Sequence, residues 1–291
     1  MNTVWSTYIQ GTGTLWTSRS LRFADFCKEK YTVPFGLGGK ERILEIGCGP
    51  GALAAALHRW YPSAKVTGID MDSRFIAFAK EKVSGVRFLE GDATALPFAD
   101  GSFDVTVSNT VAEHIEPSAF YGEQQRVLTK GGVCLVLSAR RGIQVTAPCI
   151  AGETEWEREI REIAEPVLSE IQQKYAVCAY PQNEAELPLC MEKYGFRNVS
   201  TEYLTVNLTP DNPKVSPETA HAIINANRQC HLDHIDSLPA VTEGLVTTAE
   251  TEELKRLANA RYDKRIRLYD CGIRQWDTTV AVTMIVRGVK G

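Results

Sequence analysis

A run of nine residues, Ile43-Leu44-Glu45-Ile46-Gly47-Cys48-Gly49-Pro50-Gly51, has the composition of a loop that holds a ligand. An apolar stretch ends in three glycines spaced G-x-G-x-G, and Glu45 precedes the first glycine by two residues. Glycine adopts positive φ without steric penalty and lets a ligand approach the backbone closely. Open α/β sheets bind their ligands at the carboxyl ends of the strands. The run therefore predicts a ligand-binding turn between a first strand and the next helix.

The glycine spacing separates this turn from the nicotinamide-dinucleotide fingerprint, which is G-x-G-x-x-G. The run instead resembles motif I of the class I S-adenosylmethionine-dependent methyltransferases. The resemblance is closest to the methyltransferase type 11 group, which includes the ubiquinone- and menaquinone-pathway enzymes. It covers residues 41–139 closely, and residues 184–209 and 278–287 more loosely. It implies S-adenosyl-L-methionine as cofactor and S-adenosyl-L-homocysteine as product.

The resemblance also implies a role for residues after the second and third strands. Asp70 would accept hydrogen bonds from both ribose hydroxyls, and Met71 would pack against the adenine face. Asp92 would receive the exocyclic amine of adenine, with the Ala93 amide facing the ring. The expected cofactor-binding residues are Glu45, Gly47, Cys48, Gly49, Gly51, Asp70, Met71, Asp92, Ala93 and Asn109.

Each acidic residue of this set also has a structural interpretation. Asp70 would suit the N-cap of the following helix, although Asp72 or Ser73 could cap it and leave Asp70 for the ribose, which we favour. Asp92 could be an ordinary turn aspartate. Glu45 is expected to support the methionine end of the cofactor through the glycine turn.

His114 is the candidate catalytic residue, within the stretch 108–115 that resembles the family's fourth-strand motif. In the family this stretch lies near the transferred methyl, and the backbone near Asn109 would meet the amino group of the cofactor. Histidine titrates near neutral pH and can act as a general base. His114 could equally line the cofactor pocket or cap a helix. An acceptor with no proton to lose needs no base, so the sequence leaves the role open.

Two further clusters favour ordinary structural roles. The run Cys230-His231-Leu232-Asp233-His234 suggests a metal, but no second ligand pair accompanies it, and we expect no metal site. We interpret His221, His231 and His234 as surface or substrate-pocket histidines. A basic stretch could grip RNA or an anionic substrate, although a solvated helix face is favoured. It consists of Lys255, Arg256, Arg261, Lys264, Arg265, Arg267 and Arg274.

Short β-rich runs alternate with helical patterns along the first half of the chain. Alternation of this kind predicts right-handed βαβ units and a mostly parallel sheet. The predicted strands span 42–46, 64–70, 86–89, 103–108, 131–138, 196–208 and 279–286. The predicted helices span 18–30, 52–60, 73–83, 118–128, 153–175 and 184–194. Pro166 should kink or divide the fifth of these helices.

The predicted fold is α/β, a Rossmann-like, doubly wound, mostly parallel seven-stranded sheet with helical lid insertions. The predicted core comprises residues 41–140, 183–209 and 277–291. An N-terminal helical segment (1–40) and two helical insertions (141–182 and 210–276) complete the chain. Tyr8, Trp16 and Arg19 are expected to line a lid over the cofactor, although Trp5 and its aromatic neighbours could simply be core.

Composition limits the classes of function. Hydrophobic residues make up 44% and charged residues 23% of the 291, which is typical of a globular protein. The formal net charge of −4 disfavours nucleic acid as a partner. The eight cysteines include no C-x-x-C pair, and no apolar run approaches the roughly 20 residues that span a bilayer. We therefore expect a soluble, cytoplasmic protein without membrane association.

These observations together predict a methyltransferase that acts on a small-molecule acceptor, which the sequence does not identify. The insertions could enclose such an acceptor. RNA or protein methylation is an alternative that predicts an open basic cleft, and the amino-methylating Asn-Pro-Pro-Tyr motif is replaced by Asn109-Thr110-Val111-Ala112. A non-catalytic cofactor-binding protein is another alternative, as is transfer of an aminopropyl group.

Overall fold

The carboxyl ends of five parallel strands meet at one edge of a single sheet. The computed structural model describes residues 4–140, 145–147 and 152–291. The strands in this part of the chain are β1 (Arg42–Ile46), β2 (Lys65–Asp70), β3 (Arg87–Glu90), β4 (Phe103–Asn109), β5 (Leu128–Ala139), β6 (Val145–Ala147), β7 (Phe196–Leu208) and β8 (Thr278–Lys290).

The strands are arranged in the order β3-β2-β1-β4-β5-β8, and β7 pairs with β8 along nearly its whole length. Strands β1 to β5 pair in parallel, whereas β8 runs antiparallel to both β5 and β7. The chain order reverses between β1 and β4, which opens the crevice where such sheets bind ligands. The predicted seven-stranded, mostly parallel sheet is confirmed, and the short β6 adds three residues that pair with β8.

Helices cover both faces of the sheet. The helices are α1 (Thr12–Arg22), α2 (Lys28–Phe35), α3 (Ala52–Trp60), α4 (Ser73–Lys82), α5 (Pro117–Val127), α6 (Glu155–Lys174), α7 (Glu186–Lys193), α8 (Pro217–Val241) and α9 (Thr248–Asp270). Apolar residues of α2, α3 and α4 form one buried cluster with the sheet, and those of α5 and α7 form the opposite cluster. Two covered faces explain why β1 and β4 are buried along nearly their whole length.

The helices α6, α8 and α9 pack into a separate apolar cluster. A capping box starts α6 at Thr154, where the Thr154 and Glu157 side chains each bond the other residue's backbone N–H. The helix α6 continues across Pro166, so of the two predicted effects of this proline, kinking or dividing the helix, division does not occur. Within the described residues, no helix is both long and apolar enough to cross a membrane.

The predicted single helix over 18–30 is wrong. The helix α1 ends at Arg22, and a 3-10 turn (Asp25–Cys27) separates it from α2. Trp60 Nε1 donates to Asp25 Oδ1 at 3.0 Å, and Phe23 is buried, so tertiary contacts fix this break. Pro34 lies inside α2, which ends one residue later with Gly36 at φ 58°. A glycine in that left-handed conformation is a common helix stop.

A buried ion triad joins α9 to the loops before α8 and β8. Arg265 is 1% exposed, and its Nη2 lies 2.8 Å from Asp211 Oδ2 and 2.6 Å from Asp277 Oδ1. Asp211 Oδ2 also accepts the backbone N–H groups of Gln275 and Trp276, both at 2.8 Å. The arginine therefore bridges two buried carboxylates and joins the insertion to the sheet.

We expect Arg265→Met to lower the free energy of unfolding by about 3–5 kcal/mol, because it leaves two buried carboxylates without a cation. Urea titration of the purified protein measures the change. The matched control is Arg256→Met in the same helix, where the arginine is exposed and pairs with Glu253. Equal unfolding midpoints for the two variants would contradict a stabilising role for the triad.

Candidate functional site

The three glycines after β1 all adopt positive φ, at 66° for Gly47, 53° for Gly49 and 88° for Gly51. A Cβ on Gly47 would lie 2.4 Å from a Val111 methyl, and one on Gly51 would lie 2.8 Å from the Phe88 ring. A Cβ on Gly49 would meet no atom within 4 Å. Packing thus explains two of the glycines, whereas the third presents bare backbone to open space.

Asp70 at the end of β2 is tied to this turn. Its Oδ2 accepts the Gly49 N–H at 2.7 Å, and its Oδ1 accepts the Asp72 N–H at 2.9 Å. The Cys48 N–H donates to Ile69 O at 3.0 Å, which holds the glycine turn beside the end of β2. Burial raises the pKa of Asp70 to about 6.

The helix α4 takes its N-cap from Asp72 and not from Asp70, as we favoured. Asp72 Oδ1 accepts the N–H groups of Arg74 at 3.0 Å and Phe75 at 3.3 Å. The same carboxylate also accepts the Ser6 N–H at 2.9 Å and the Ser6 hydroxyl at 3.0 Å. Asp72 therefore anchors the N-terminal segment directly beside Asp70.

The proposed adenine contacts lie at the next strand end. Met71 is 42% exposed, which is unusual for methionine and leaves its side chain open to a ligand. Asp92 forms a turn, with its Oδ1 accepting the Thr94 N–H at 2.7 Å and the Thr94 hydroxyl at 2.8 Å. The Gly91 N–H donates to Asp70 O at 3.0 Å, which places the turn containing Asp92 and Ala93 next to β2. The role of Asp92 and Ala93 in binding adenine remains a prediction.

Glu45 carries a buried oxygen without a partner. Its side chain is 2% exposed and accepts the Ala54 backbone N–H, but Oε2 has no hydrogen-bond partner among the described residues. Burial raises the pKa of the Glu45 carboxyl well above its ordinary value. Burial likewise raises the pKa of the neighbouring Cys48 thiol well above its usual range, so this thiol is unreactive. An unsatisfied buried oxygen costs free energy and is compatible with a missing donor from a ligand.

The N-terminal segment crosses this edge of the sheet. Arg19 Nη2 donates to the Thr110 hydroxyl at 3.2 Å, directly after Asn109 at the end of β4. Trp16 packs against Phe78 of α4 with ring centroids 5.6 Å apart, and Tyr8 stacks on Tyr175 at 5.6 Å. The three predicted lid residues thus contact three different parts of the chain around the site.

The helix α1 receives its N-terminal cap from α8. Asp233 Oδ2 accepts the Thr14 N–H at 2.7 Å and the Thr14 hydroxyl at 2.6 Å. A Cβ on Gly11 would lie 2.7 Å from the same oxygen, so a larger residue there would require the Asp233 side chain to shift. A carboxylate at a helix N-terminus is also favoured by the helix dipole.

His114 follows β4 in a short 3-10 turn (Ala112–His114) and has one ring nitrogen occupied. Its Nδ1 accepts the Cys178 backbone N–H at 2.8 Å, and its ring lies 4.7 Å from that of Trp5 in an edge-to-face arrangement. The proton of the neutral ring therefore sits on Nε2, since a second proton on Nδ1 would face an N–H donor. This arrangement makes His114 a hydrogen-bond donor and opposes the base role.

Two cavities adjoin the 3-10 turn. One of about 480 Å³ lies at the carboxyl ends of β4 and β5 and includes Ala112, Glu113 and Arg140 in its wall. The other, of about 700 Å³, lies among the N-terminal segment, α6 and α8, and His114 and His234 line it. Cys178 lines both. These volumes suit small-molecule ligands.

Several polar side chains of the second insertion pair with other side chains of the protein. His221 Nε2 lies 2.8 Å from Asp270 Oδ1. Burial lowers the pKa of His231. Lys255, Arg256, Arg261 and Arg265 of the basic stretch all pair with carboxylates, which supports the solvated-face interpretation for the exposed ones.

Sequence inspection missed Ser6, Thr14, Asp233, Cys178 and Arg140. Ser6 and Asp72 are 66 positions apart, and Thr14 and Asp233 are 219 apart, so no local pattern signals their contacts. Cys178 acts through its backbone N–H, which any residue type except proline provides. The glycine pair at Gly11 and Gly13 was the one available sign of a close backbone approach.

Comparison with known proteins finds relatives for part of the chain. Residues 44–136 match the methyltransferase domain model. Over 134 residues the chain is 36% identical to a fatty-acid O-methyltransferase of Mycolicibacterium smegmatis, covering 45% of this chain and 46% of that protein. Over 102 residues it is 41% identical to a demethylmenaquinone methyltransferase of Thermus thermophilus, covering 33% and 46%. The chain thus spans about half the length of these relatives.

A solved structure supports the fold. A Haemonchus contortus phosphoethanolamine N-methyltransferase 2, solved with S-adenosyl-L-methionine, aligns with a TM-score of 0.53 and 16% identity over 98% of this chain and 59% of that one. The domain match, the sheet order and the glycine turn agree. Residues 44–136 of the chain are therefore similar to the methyltransferase domain family.

The raised pKa of Asp70 gives a pH prediction. Between the ordinary pKa of 3.8 and the folded value of about 6, the folded state binds more protons than the unfolded state. Stability contributed by protonated Asp70 is therefore lost as pH rises through this window. Relative to Asp70→Asn, we expect the wild-type free energy of unfolding to fall by roughly 2.4 kcal/mol between pH 4 and 7.

Urea titrations of both proteins at half-unit pH steps measure this difference. The Asn side chain does not titrate, so the ionisations shared by both proteins cancel. The free energy of unfolding of the variant is subtracted from that of wild type at each pH. If this difference stays constant or rises with pH, burial does not disfavour the Asp70 carboxylate.

Proposed function

We propose that this chain binds S-adenosyl-L-methionine at the carboxyl ends of β1, β2 and β3 and transfers its methyl group to a small-molecule acceptor. The observation that carries the proposal is the bare backbone of Gly49, held 2.7 Å from the Asp70 carboxylate. A backbone open to space beside an acidic side chain at a strand end suits the amino-acid and ribose parts of this cofactor. The family match supports the same assignment.

The residues at this edge offer matched partners for each part of the cofactor. Gly47, Gly49 and Gly51 shape the turn, and the Asp70 carboxylate accepts the ribose hydroxyls. Met71, exposed at the next position, packs on the adenine face. Asp92 and Ala93 receive the adenine edge. Glu45 Oε2, buried without a partner among the described residues, is an acceptor toward the methionine end, where the Asn109 backbone also lies.

When bound, the cofactor supplies a methyl group on a sulfonium, which is already electrophilic. The protein must hold the acceptor in line with it and keep water out. The N-terminal segment suits the second task, since Ser6 bonds Asp72 and Arg19 bonds Thr110 on either side of the glycine turn. We assign these contacts to a lid that closes over the bound cofactor.

His114 lines the larger cavity, and its Nδ1 accepts the Cys178 backbone N–H. Its occupied Nδ1 leaves the ring with no accessible lone pair in the neutral state that the structure favours. The chemistry therefore suits an acceptor that reaches the site already nucleophilic, such as a carboxylate, a phenolate or an enolate. Such an acceptor has no proton to lose in the transfer step.

A small-molecule acceptor is favoured over RNA or protein. Both cavities have volumes of a few hundred cubic ångströms and are bounded by the described residues. Four arginine and lysine side chains of the basic stretch are already paired with carboxylates. Relatives named for a fatty acid and for a demethylmenaquinone point to lipid-like or quinone-like acceptors.

The matched pair Gly49→Ala and Gly101→Ala tests the cofactor site. Both glycines have positive φ, 53° and 65°, and a Cβ at either would meet no atom within 4 Å, so the two changes carry the same backbone strain of about 1 kcal/mol. Only the Gly49 change places a methyl group where the cofactor lies. Saturating S-adenosyl-L-homocysteine should raise the Tm of wild type and Gly101→Ala by several degrees and leave Gly49→Ala unmoved.

The same proteins are then incubated with methyl-labelled cofactor and a panel of free fatty acids and demethylated quinols. Label transfer is expected with wild type and Gly101→Ala and should be lost in Gly49→Ala. A Tm rise in all three proteins would show that the cofactor does not bind at the glycine turn. Binding without transfer to any acceptor in a wider screen would favour the non-catalytic alternative.

A further inference from the structure

Arg140 is a buried cation at the wall of the 480 Å³ cavity. It follows β5 directly, its side chain is 8% exposed, and its backbone N–H donates to Val282 O at 2.9 Å. The sheet therefore fixes the start of this side chain. The cavity lies beside the ends of β4 and β5, where Asn109 pairs with Leu137.

The guanidinium of Arg140 has few acceptors for its five donors. Its Nη1 donates to Gln182 O at 2.9 Å, and its Nη2 reaches the Met284 thioether, a weak acceptor, at 3.2 Å. Its Nε has no hydrogen-bond partner in the described part of the chain. A buried guanidinium is stable when it is paired and hydrogen-bonded, and among the described residues Arg140 Nε lacks such a hydrogen bond.

The nearest carboxylate is a loose partner. Glu184 Oε1 lies 3.7 Å from Arg140 Nε, and the Glu184 side chain is 51% exposed. That distance is too long for a hydrogen bond, and the glutamate remains largely in solvent. Glu184 thus neutralises the charge in part and leaves the planar donor face of Arg140 without a bidentate acceptor.

The rest of the cavity wall limits the charge of a ligand. Glu113 and Glu186 join Glu184 around the cavity, and Glu186 is partly occupied by the Asn183 N–H at 2.9 Å. Among the described residues of the wall, one arginine stands with three glutamates. Dianionic phosphates and polyanions are therefore disfavoured, whereas a single carboxylate matches the one bidentate site of Arg140.

We propose that the 480 Å³ cavity binds the carboxylate of the methyl acceptor on Arg140, with Glu184 as the group that this carboxylate displaces. This inference rests on the proposed methyltransferase function and adds the chemical class of the acceptor. Arg140 acts as a specificity-determining residue, since it touches the acceptor's anionic group. The rigid sheet attachment of Arg140 sets the distance of that group from the ends of β4 and β5.

The test measures binding of simple carboxylates to protein saturated with S-adenosyl-L-homocysteine. Benzoate and octanoate are titrated by calorimetry, with benzamide and octanol as uncharged analogues and inorganic phosphate as the dianion. The variants are Arg140→Gln and Glu184→Gln, and the control is Arg161→Gln, where an exposed arginine pairs with Glu153 on the insertion. Affinity for S-adenosyl-L-homocysteine and the circular dichroism spectrum are recorded for every variant.

We expect the two variants to change carboxylate binding in opposite directions. Arg140→Gln should weaken it by about 10-fold or more, because it removes a charge-assisted bidentate contact. Glu184→Gln should strengthen it several-fold, because the competing carboxylate is gone. Arg161→Gln should match wild type, and the uncharged analogues should bind weakly to every protein.

Three results would overturn the proposal. Carboxylate binding that Arg140→Gln leaves intact places the anion elsewhere. Unchanged or weakened carboxylate binding in Glu184→Gln also places the anion elsewhere. This second result is independent of folding, because the Glu184 side chain is exposed and its replacement does not threaten the fold. Phosphate binding tighter than that of the carboxylates excludes the carboxylate class. Failure of the proposed function is distinct from all three, since S-adenosyl-L-homocysteine itself would then not bind wild type.

Discussion

The arrangement of the site depends on the carboxylate of Asp70. Its two oxygens accept the N–H groups of Gly49 and Asp72, so one side chain at the end of β2 holds both the glycine turn after β1 and the start of α4. Burial opposes the charge of this carboxylate and raises its pKa to about 6. A group kept partly desolvated and aimed at open backbone is typical of functional sites.

The covering elements are attached by the same kind of contact. Asp72 and Asp233 each accept a backbone N–H and a hydroxyl from one residue of the N-terminal segment, Ser6 and Thr14 respectively. Two carboxylates on two different helices thus hold one short segment across the carboxyl edge of the sheet.

The sheet and the glycine turn could be predicted because their signals are local. The predicted strand over 196–208 matches the structure residue for residue, and Asp72 was foreseen as the cap that leaves Asp70 available. The helix over 18–30 was mispredicted because tertiary contacts of Asp25 and Phe23 break a continuous pattern. The role of His114 and the exposure of Arg140 to a cavity depend on residues more than 40 positions away. Local sequence patterns do not predict contacts between residues so far apart in the chain.

Calorimetric titration with S-adenosyl-L-methionine and S-adenosyl-L-homocysteine is the most direct test of the central claim. It compares wild type with Asp70→Ala and with Asp100→Ala, an exposed aspartate that pairs with Arg126 away from the turn. The account predicts micromolar binding of both ligands to wild type and Asp100→Ala, and its loss in Asp70→Ala. Binding to all three proteins alike, or to none, would contradict the assignment of this edge of the sheet to the cofactor.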